Sequence, residues 1–282
     1  MEITTLKITK QELEKAVPAA TSKNEQVLSM LAPGIEHAFY MLKSRMLGPV
    51  GYAALTDDAH ADLLRLCKWH VCQQAFCDNF RSLDLVLTGT GFGVVSTQDL
   101  APASKARVDA LKAQQDKALL LTTGTLLDEL FNVQGWGAQP LRRLLVPTLF
   151  HRFDMLESLC GMSQASAADW YAMQPTIREA DRLLRDLISE EQMDVLLDAV
   201  TGSLGSGLLL KAVDLCRLFI AFHVSGKLQG KRQTAMQLVN LLESDLDTFK
   251  TYAGSSVYKA NHIEKYENTK ESPVFFFQGW GA

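Results

Sequence analysis

The pentapeptide Gln-Gly-Trp-Gly-Ala occurs twice in this chain, at Gln134–Ala138 and at Gln278–Ala282. Each copy follows aromatic residues, Phe131 in the first case and Phe275, Phe276 and Phe277 in the second. Five matching residues that include a Trp between two Gly predict a duplication, with a unit of about 140 residues. The two units are 1–140 and 141–282, each closing on the pentapeptide. An ungapped match carries Leu145-Val146-Pro147 onto Leu31-Ala32-Pro33, then Phe153 onto Phe39, Met155 onto Met41, Leu156 onto Leu42 and Ser158 onto Ser44. Leu215-Cys216-Arg217 matches Leu66-Cys67-Lys68. The Pro-to-Cys interval is 34 residues in the first half and 69 in the second, which predicts an insertion near 163–202.

The local patterns are mostly helical. Thr9 with Glu12, Ser22 with Glu25, and Ser189 with Gln192 have the spacing of helix caps. A helix through Val27, Leu31, Ile35, Phe39, Leu42 and Met46 is expected to break or kink at Ala32-Pro33, because the residue before proline avoids the helical region. It is expected to stop at Gly48-Pro49. Leu63, Leu66, Trp69, Cys72 and Phe76 mark a second helix, 103–131 a third, and Met236, Val239, Leu242, Leu246 and Phe249 another. Short strands are expected at Glu2–Ile8 and Pro273–Phe277, with a Gly-rich loop or hairpin in Leu85–Ser96. The fold class is mainly α: two duplicated helical units with a few short strands and Gly-rich loops. Paired helices with apolar stripes must stack to bury them.

The 282 residues are 47% hydrophobic, enough for a sizeable core in one or two packed units. A net charge of −4, with no Lys/Arg-rich stretch, argues against general nucleic-acid binding, which needs a concentrated basic surface. The first ten residues carry charges and no apolar core, unlike a secretory signal. Lys211, Asp214 and Arg217 interrupt the longest apolar stretch, Leu208–Val224, so it reads as a buried helix and no membrane span is expected. Five irregularly spaced cysteines read as reduced thiols.

No residue set commits the chain to catalysis, and no cofactor or metal is expected. His60, Cys67, His70 and Cys77 lie within about 100° of one helix but span about 25 Å along it. One ion could reach only Cys67 and His70, and zinc needs two further ligands. Gly89, Gly91 and Gly93 lack the dinucleotide spacing and a Gly-Lys-Ser/Thr continuation. Gly202–Gly207 reads as a linker, not a nucleophile elbow. Glu243, Asp245 and Asp247 read as a solvated helix face. The Trp loops have two readings. Trp136 and Trp280 could each plug the core of its own unit, or dock on a neighbouring chain, as interface tryptophans do. The C-terminal group Phe275, Phe276, Phe277 and Trp280 is too apolar to stand in water and favours docking; Trp136 favours its own unit.

Phe92-Gly93-Val94-Val95-Ser96 and Ala101-Pro102-Ala103-Ser104-Lys105-Ala106-Arg107-Val108, with Leu6-Lys7-Ile8-Thr9 and Glu12-Leu13, resemble an uncharacterised family of helical proteins from phages and prophages of gut Bacteroidales. Its members are of similar length and look like head–tail connector, or neck adaptor, proteins. The resemblance implies a structural virion protein and no enzyme, present in the virion and, during assembly, in the host cytoplasm. It further implies a homo-oligomeric ring whose ends meet portal and tail components, with no sequence-specific nucleic acid. The alternatives are a soluble intracellular helical binding module, or an enzyme with a site around His60 and His70.

Overall fold

The structure is a computed structural model of the chain. It describes residues 6–20, 26–80, 83, 85–88, 91–94, 104–201 and 207–262. The protein is mainly helical. In chain order the helices of the first half are α1 (Lys10–Ala16), α2 (Gln26–Leu42), α3 (Gly48–Ala54), α4 (Ala61–Asn79) and α5 (Lys105–Phe131). Leu85–Thr88 pairs antiparallel with Gly91–Val94 between α4 and α5. The second half holds α6 (Pro140–Leu145), α7 (Asp154–Ser158), α8 (Ala167–Ile188), α9 (Glu190–Thr201), α10 (Gly207–Val224), α11 (Leu228–Ser244), α12 (Lys250–Ala253) and α13 (Ser256–Asn261).

Each half is built around one enclosed helix. In the first it is α4, packed by α1, α2 and α5. Leu63, Leu66, Cys67, Val71, Cys72, Ala75 and Phe76 are all buried, so apolar side chains project from most of its circumference. In the second it is α10, packed by α8, α9 and α11, with Ala212, Val213, Cys216, Phe219, Ile220 and Ala221 buried. The buried residues of both halves form one continuous core.

Local signals set several of these elements. Thr9 and Glu12 cap α1 reciprocally: the Glu12 N–H donates to Thr9 Oγ1 (3.3 Å) and the Thr9 N–H to Glu12 Oε2 (2.7 Å). Lys68 on α4 then reaches Glu12 at 2.7 Å, and Gln73 Nε2 donates to the Ala16 carbonyl. The cap thus also fastens α1 to the central helix.

The structure corrects the sequence reading in three places. Pro33 does not end its helix; α2 runs through it. The local preference yields to the burial of Leu31, Ile35, Ala38, Phe39 and Leu42 along one side. Residues 6–8, expected in a strand, are not in one. The matched partner Pro147 lies in the irregular segment between α6 and α7. Leu31–Ser44 and Leu145–Ser158 therefore differ in conformation, and the ungapped match between them is not a structural equivalence. Apart from these three, the stretch 163–201 carries α8 and α9. These supply core residues Trp170, Ile177, Ala180, Leu184, Ile188, Leu196 and Leu197. The Ser22–Glu25 cap, the Gly202–Gly207 linker apart from Gly207, and the C-terminal strand lie outside the described residues.

Two corners share an unusual backbone. After α2 the chain makes a π-helical turn, Lys43–Leu47, and α3 opens on Gly48 at φ 61°, ψ −172°. After α8 it reaches Ser189 at φ 83°, ψ 155° before α9 begins. Both conformations belong to a region occupied almost solely by glycine. Ser189 is held there by its surroundings. Its Oγ accepts from the Gln192 N–H at 3.2 Å, and next to it Arg185 bonds Asp181 (2.8 Å), Asp194 (3.2 Å) and Glu190. Ser189→Gly is expected to raise stability by about 1 kcal/mol: it releases strain and loses a cap contact worth only tenths when Gly replaces Ser. Ser189→Ala keeps the strain and loses the cap, so it should cost about 1 kcal/mol. Urea midpoints of the two variants must move in opposite directions.

Candidate functional site

The first Gln-Gly-Trp-Gly-Ala folds over the corner between α2 and α3. Gly135 takes φ 83° at the end of α5, which turns the chain back, and Trp136–Ala138 form a single 3-10 turn. Trp136 is wholly enclosed by its own chain. Its indole N–H donates to the Met46 carbonyl at 3.0 Å, inside the π-helical turn. Gln139 Nε2 donates to the next carbonyl, Leu47, at 3.3 Å. The Trp136 ring lies 5.7 Å from that of Phe131 and against Gly51 on α3, where a Cβ would sit 3.3 Å from the Trp136 Cδ1. Gly137 passes the end of α9 so closely that a Cβ would lie 2.8 Å from the Thr201 carbonyl oxygen. Arg142, itself buried, donates from Nε to the Gly137 carbonyl (3.2 Å) and pairs with Asp198 on α9.

The loop therefore joins three elements: α5, the α2–α3 corner and α9. Its glycines permit close approach and its Trp fills the gap. With no surface exposed, Trp136 fills the core of its own chain, the reading favoured for it in the sequence. Phe275, Phe276, Phe277 and Trp280 lie outside the described residues.

A second node joins the halves and carried no sequence signal. Arg152, in the segment before α7, holds Asp154 through two bonds (2.9 and 2.8 Å) and pairs with Asp128 on α5. Arg217 on α10 donates to the Leu149 carbonyl at 3.3 Å. His151 lies between them, its ring edge-on to Phe131 at 5.6 Å and its Nδ1 3.3 Å from the Leu149 carbonyl. Burial, with the Arg217 and Arg152 charges adding to it, pushes the His151 pKa down to about 4. Spacing could not reveal this node, because its members come from three separate elements.

Cys67, His70 and Cys77, weighed as ligands in the sequence and set aside, lie along α4. Cys67 is buried, and burial pushes its thiol up to about 12, as it does those of Cys72 and Cys77. Thiols held protonated are poor ligands and poor nucleophiles. Burial pushes His70 down to about 4. His60 sits in the 3-10 turn before the helix. Among the described residues no three His, Cys, Asp or Glu side chains are placed to hold one ion. Two of the acidic trio have separate structural contacts: Asp245 accepts from the Thr248 N–H at 3.1 Å, and Glu243 stands 3.4 Å from His262.

The two buried imidazoles predict acid sensitivity. Each takes up a proton near pH 6.5 when unfolded but only near pH 4 when folded. Between those values the unfolded chain binds more protons, so stability falls as pH drops from 6.5 toward 4 and then levels. By pH 4 each ring removes up to about 3 kcal/mol. Urea midpoints at pH 7, 6, 5 and 4.5 should fall steadily; a flat profile would contradict neutral buried imidazoles.

No described helix is long and apolar enough to cross a membrane. Residues 41–135 match the model of a family described as being of unknown function, DUF6712. The match begins just before the π-helical turn and ends on Gly135, covering about a third of the chain, so the chain is similar to that family over this stretch. No curated protein and no solved structure matches the chain.

Proposed function

We propose that this chain is a structural subunit of the neck, or head–tail connector, of a tailed bacteriophage, acting by assembly into a homo-oligomeric ring. What supports the reading is a likeness between buried positions of the two halves, in a register different from the one sequence matching gives. Aligning Pro33 in α2 with Pro175 in α8 puts Ile35 on Ile177, Ala38 on Ala180 and Leu42 on Leu184, all buried. A residue of glycine-only conformation follows each helix, Gly48 after the π-helical turn and Ser189 directly after α8, one position apart in this register. The enclosed helices α4 and α10 then carry Cys67 and Cys216, both fully buried. On α5 and α11 the wholly buried pairs Leu126/Leu130 and Leu238/Leu242 correspond.

A chain of two like units can repeat between molecules the contact it makes within one, which is the geometry of a closed ring. After α5, Val133 and Trp136 close the core; after α11, Phe249 and Tyr252 are buried in their place. The second pentapeptide is thus not needed to fill that gap. In this reading Phe275, Phe276, Phe277 and Trp280 dock on a neighbour, a portal or tail component. The resemblance to phage proteins at Phe92–Ser96 and Ala101–Val108 sets the biological context. Mass spectrometry of particles purified from a host carrying the gene tests the reading: the chain should be found in the particles, and its absence from intact tailed particles rejects the assignment.

A further inference from the structure

Residues 149–153 lie in the joint between the halves and face both ways. Phe150 and Phe153 hold to the second half, with ring centroids 6.5 and 6.2 Å from that of Trp170 on α8. His151 and Arg152 reach the first half at the end of α5. The His151 ring stands edge-on to Phe131 at 5.6 Å, and Arg152 pairs with Asp128. The Phe131 ring lies in turn 5.7 Å from Trp136, so the imidazole abuts the loop that closes the first half.

One atom at this joint has no partner. His151 Nδ1 stands 3.3 Å from the Leu149 carbonyl, to which a neutral ring can donate. Its Nε2 is sealed from solvent and makes no hydrogen bond. A neutral imidazole tolerates this, because Nε2 then carries only a lone pair. A protonated ring does not, because Nε2 becomes a second donor with nothing to receive it. The charged groups around the ring are already committed. Asp154 is held by Arg152 through two bonds, at 2.9 and 2.8 Å, and Asp128 of α5 pairs with the same guanidinium. Arg217 of α10 has Asp214 at 3.6 Å. Lys117, a further charge on α5, lies against Phe153. Arg217 and Arg152 both repel an imidazolium here, and the attraction of Asp154 is smaller than either repulsion.

We propose that residues 149–153 form an acid-released latch: a proton on His151 drives its ring out of the joint and frees the end of α5 from the second half, while α10 and the helices around it stay folded. Leaving the joint gives the new N–H water as its acceptor and takes the charge away from two guanidinia. Phe150 and Phe153 carry no charge to expel, so they keep the segment on Trp170. The latch therefore opens on the first-half side. It rests on this joint alone and is independent of the neck assignment.

Hydrogen exchange of the full chain, read by mass spectrometry and corrected for the intrinsic rate at each pH, tests the latch. A ring that titrates near 4 in the closed joint and near 6.5 in the open one raises the opening constant about 50-fold between pH 7 and pH 4.5. Peptides covering 124–131 and 149–153 should lose protection by about that factor, and α10 should lose much less. His151→Gln and His151→Phe both remove the charge, and in either one that folds the pH effect on these peptides should disappear. His70→Gln, on α4 and outside the joint, should leave it in place. In wild type, unchanged protection at 124–131, or an equal loss across α4, α10 and the joint, would overturn the latch without any variant. An undiminished pH effect in a folded His151 variant, or its disappearance in His70→Gln, would overturn it as well.

Discussion

Trp136→Ala should unfold the protein far more readily than any surface change, costing about 3–5 kcal/mol. Three effects add. The side chain is one of the largest that the core encloses completely, so removing it leaves a cavity that neighbouring helices fill only in part. The Met46 carbonyl loses its 3.0 Å indole donor, and an unpaired buried acceptor costs about 1–3 kcal/mol in its own right. The loop also loses its hold on the α2–α3 corner, loosening the α5–α9 junction at Gly137 and Thr201. Thermal melting and urea titration measure the loss. Trp136→Phe keeps most of the volume and discards the hydrogen bond, so it should fall between wild type and the alanine variant. A Trp136→Ala protein as stable as wild type would show that the loop is peripheral.

Gly48→Ala should cost about 2–4 kcal/mol. The backbone at φ 61°, ψ −172° is closed to residues with a Cβ except at a cost of roughly 1–3 kcal/mol. Space adds to this: a Cβ would run into Gln139 Oε1 and lie 2.9 Å from Leu141 Cδ1. Crowding a packed site of this kind costs about 1–3 kcal/mol more where neighbours cannot move. Gln139 is the residue whose Nε2 holds the Leu47 carbonyl, so its displacement breaks that bond as well. The opposite sign expected for Ser189→Gly makes the two corners a matched pair. Equal and small effects at both would show that neither conformation constrains the fold.

Helix content was legible in the sequence because capping residues and apolar spacing act over a few residues. Thr9 with Glu12 and Ser189 with Gln192 form the caps their spacing predicts. Register between the halves was not legible in the same way. Leu145-Val146-Pro147 matched Leu31-Ala32-Pro33 letter for letter, yet Pro147 starts an irregular segment whose His151 and Arg152 turn inward to join the halves. In the register proposed above Pro33 falls on Pro175, and the matching Ile177, Ala180 and Leu184 are spread over eight residues and dispersed among charged ones. Burial identifies them and adjacency in sequence does not.

Trp136 illustrates the same limit. Gly-Trp-Gly announces a close approach of backbone to some surface, but it does not say whose. That depends on the Met46 carbonyl, 90 residues away in sequence, which the π-helical turn presents to the indole.

The central claim is that the chain works as a subunit of a homo-oligomeric ring. Electron microscopy of the purified full-length chain, at concentrations where native mass shows association, tests this most directly. The account predicts closed rings of uniform diameter. Monodisperse single subunits at all concentrations, or closed two-fold dimers, would contradict it.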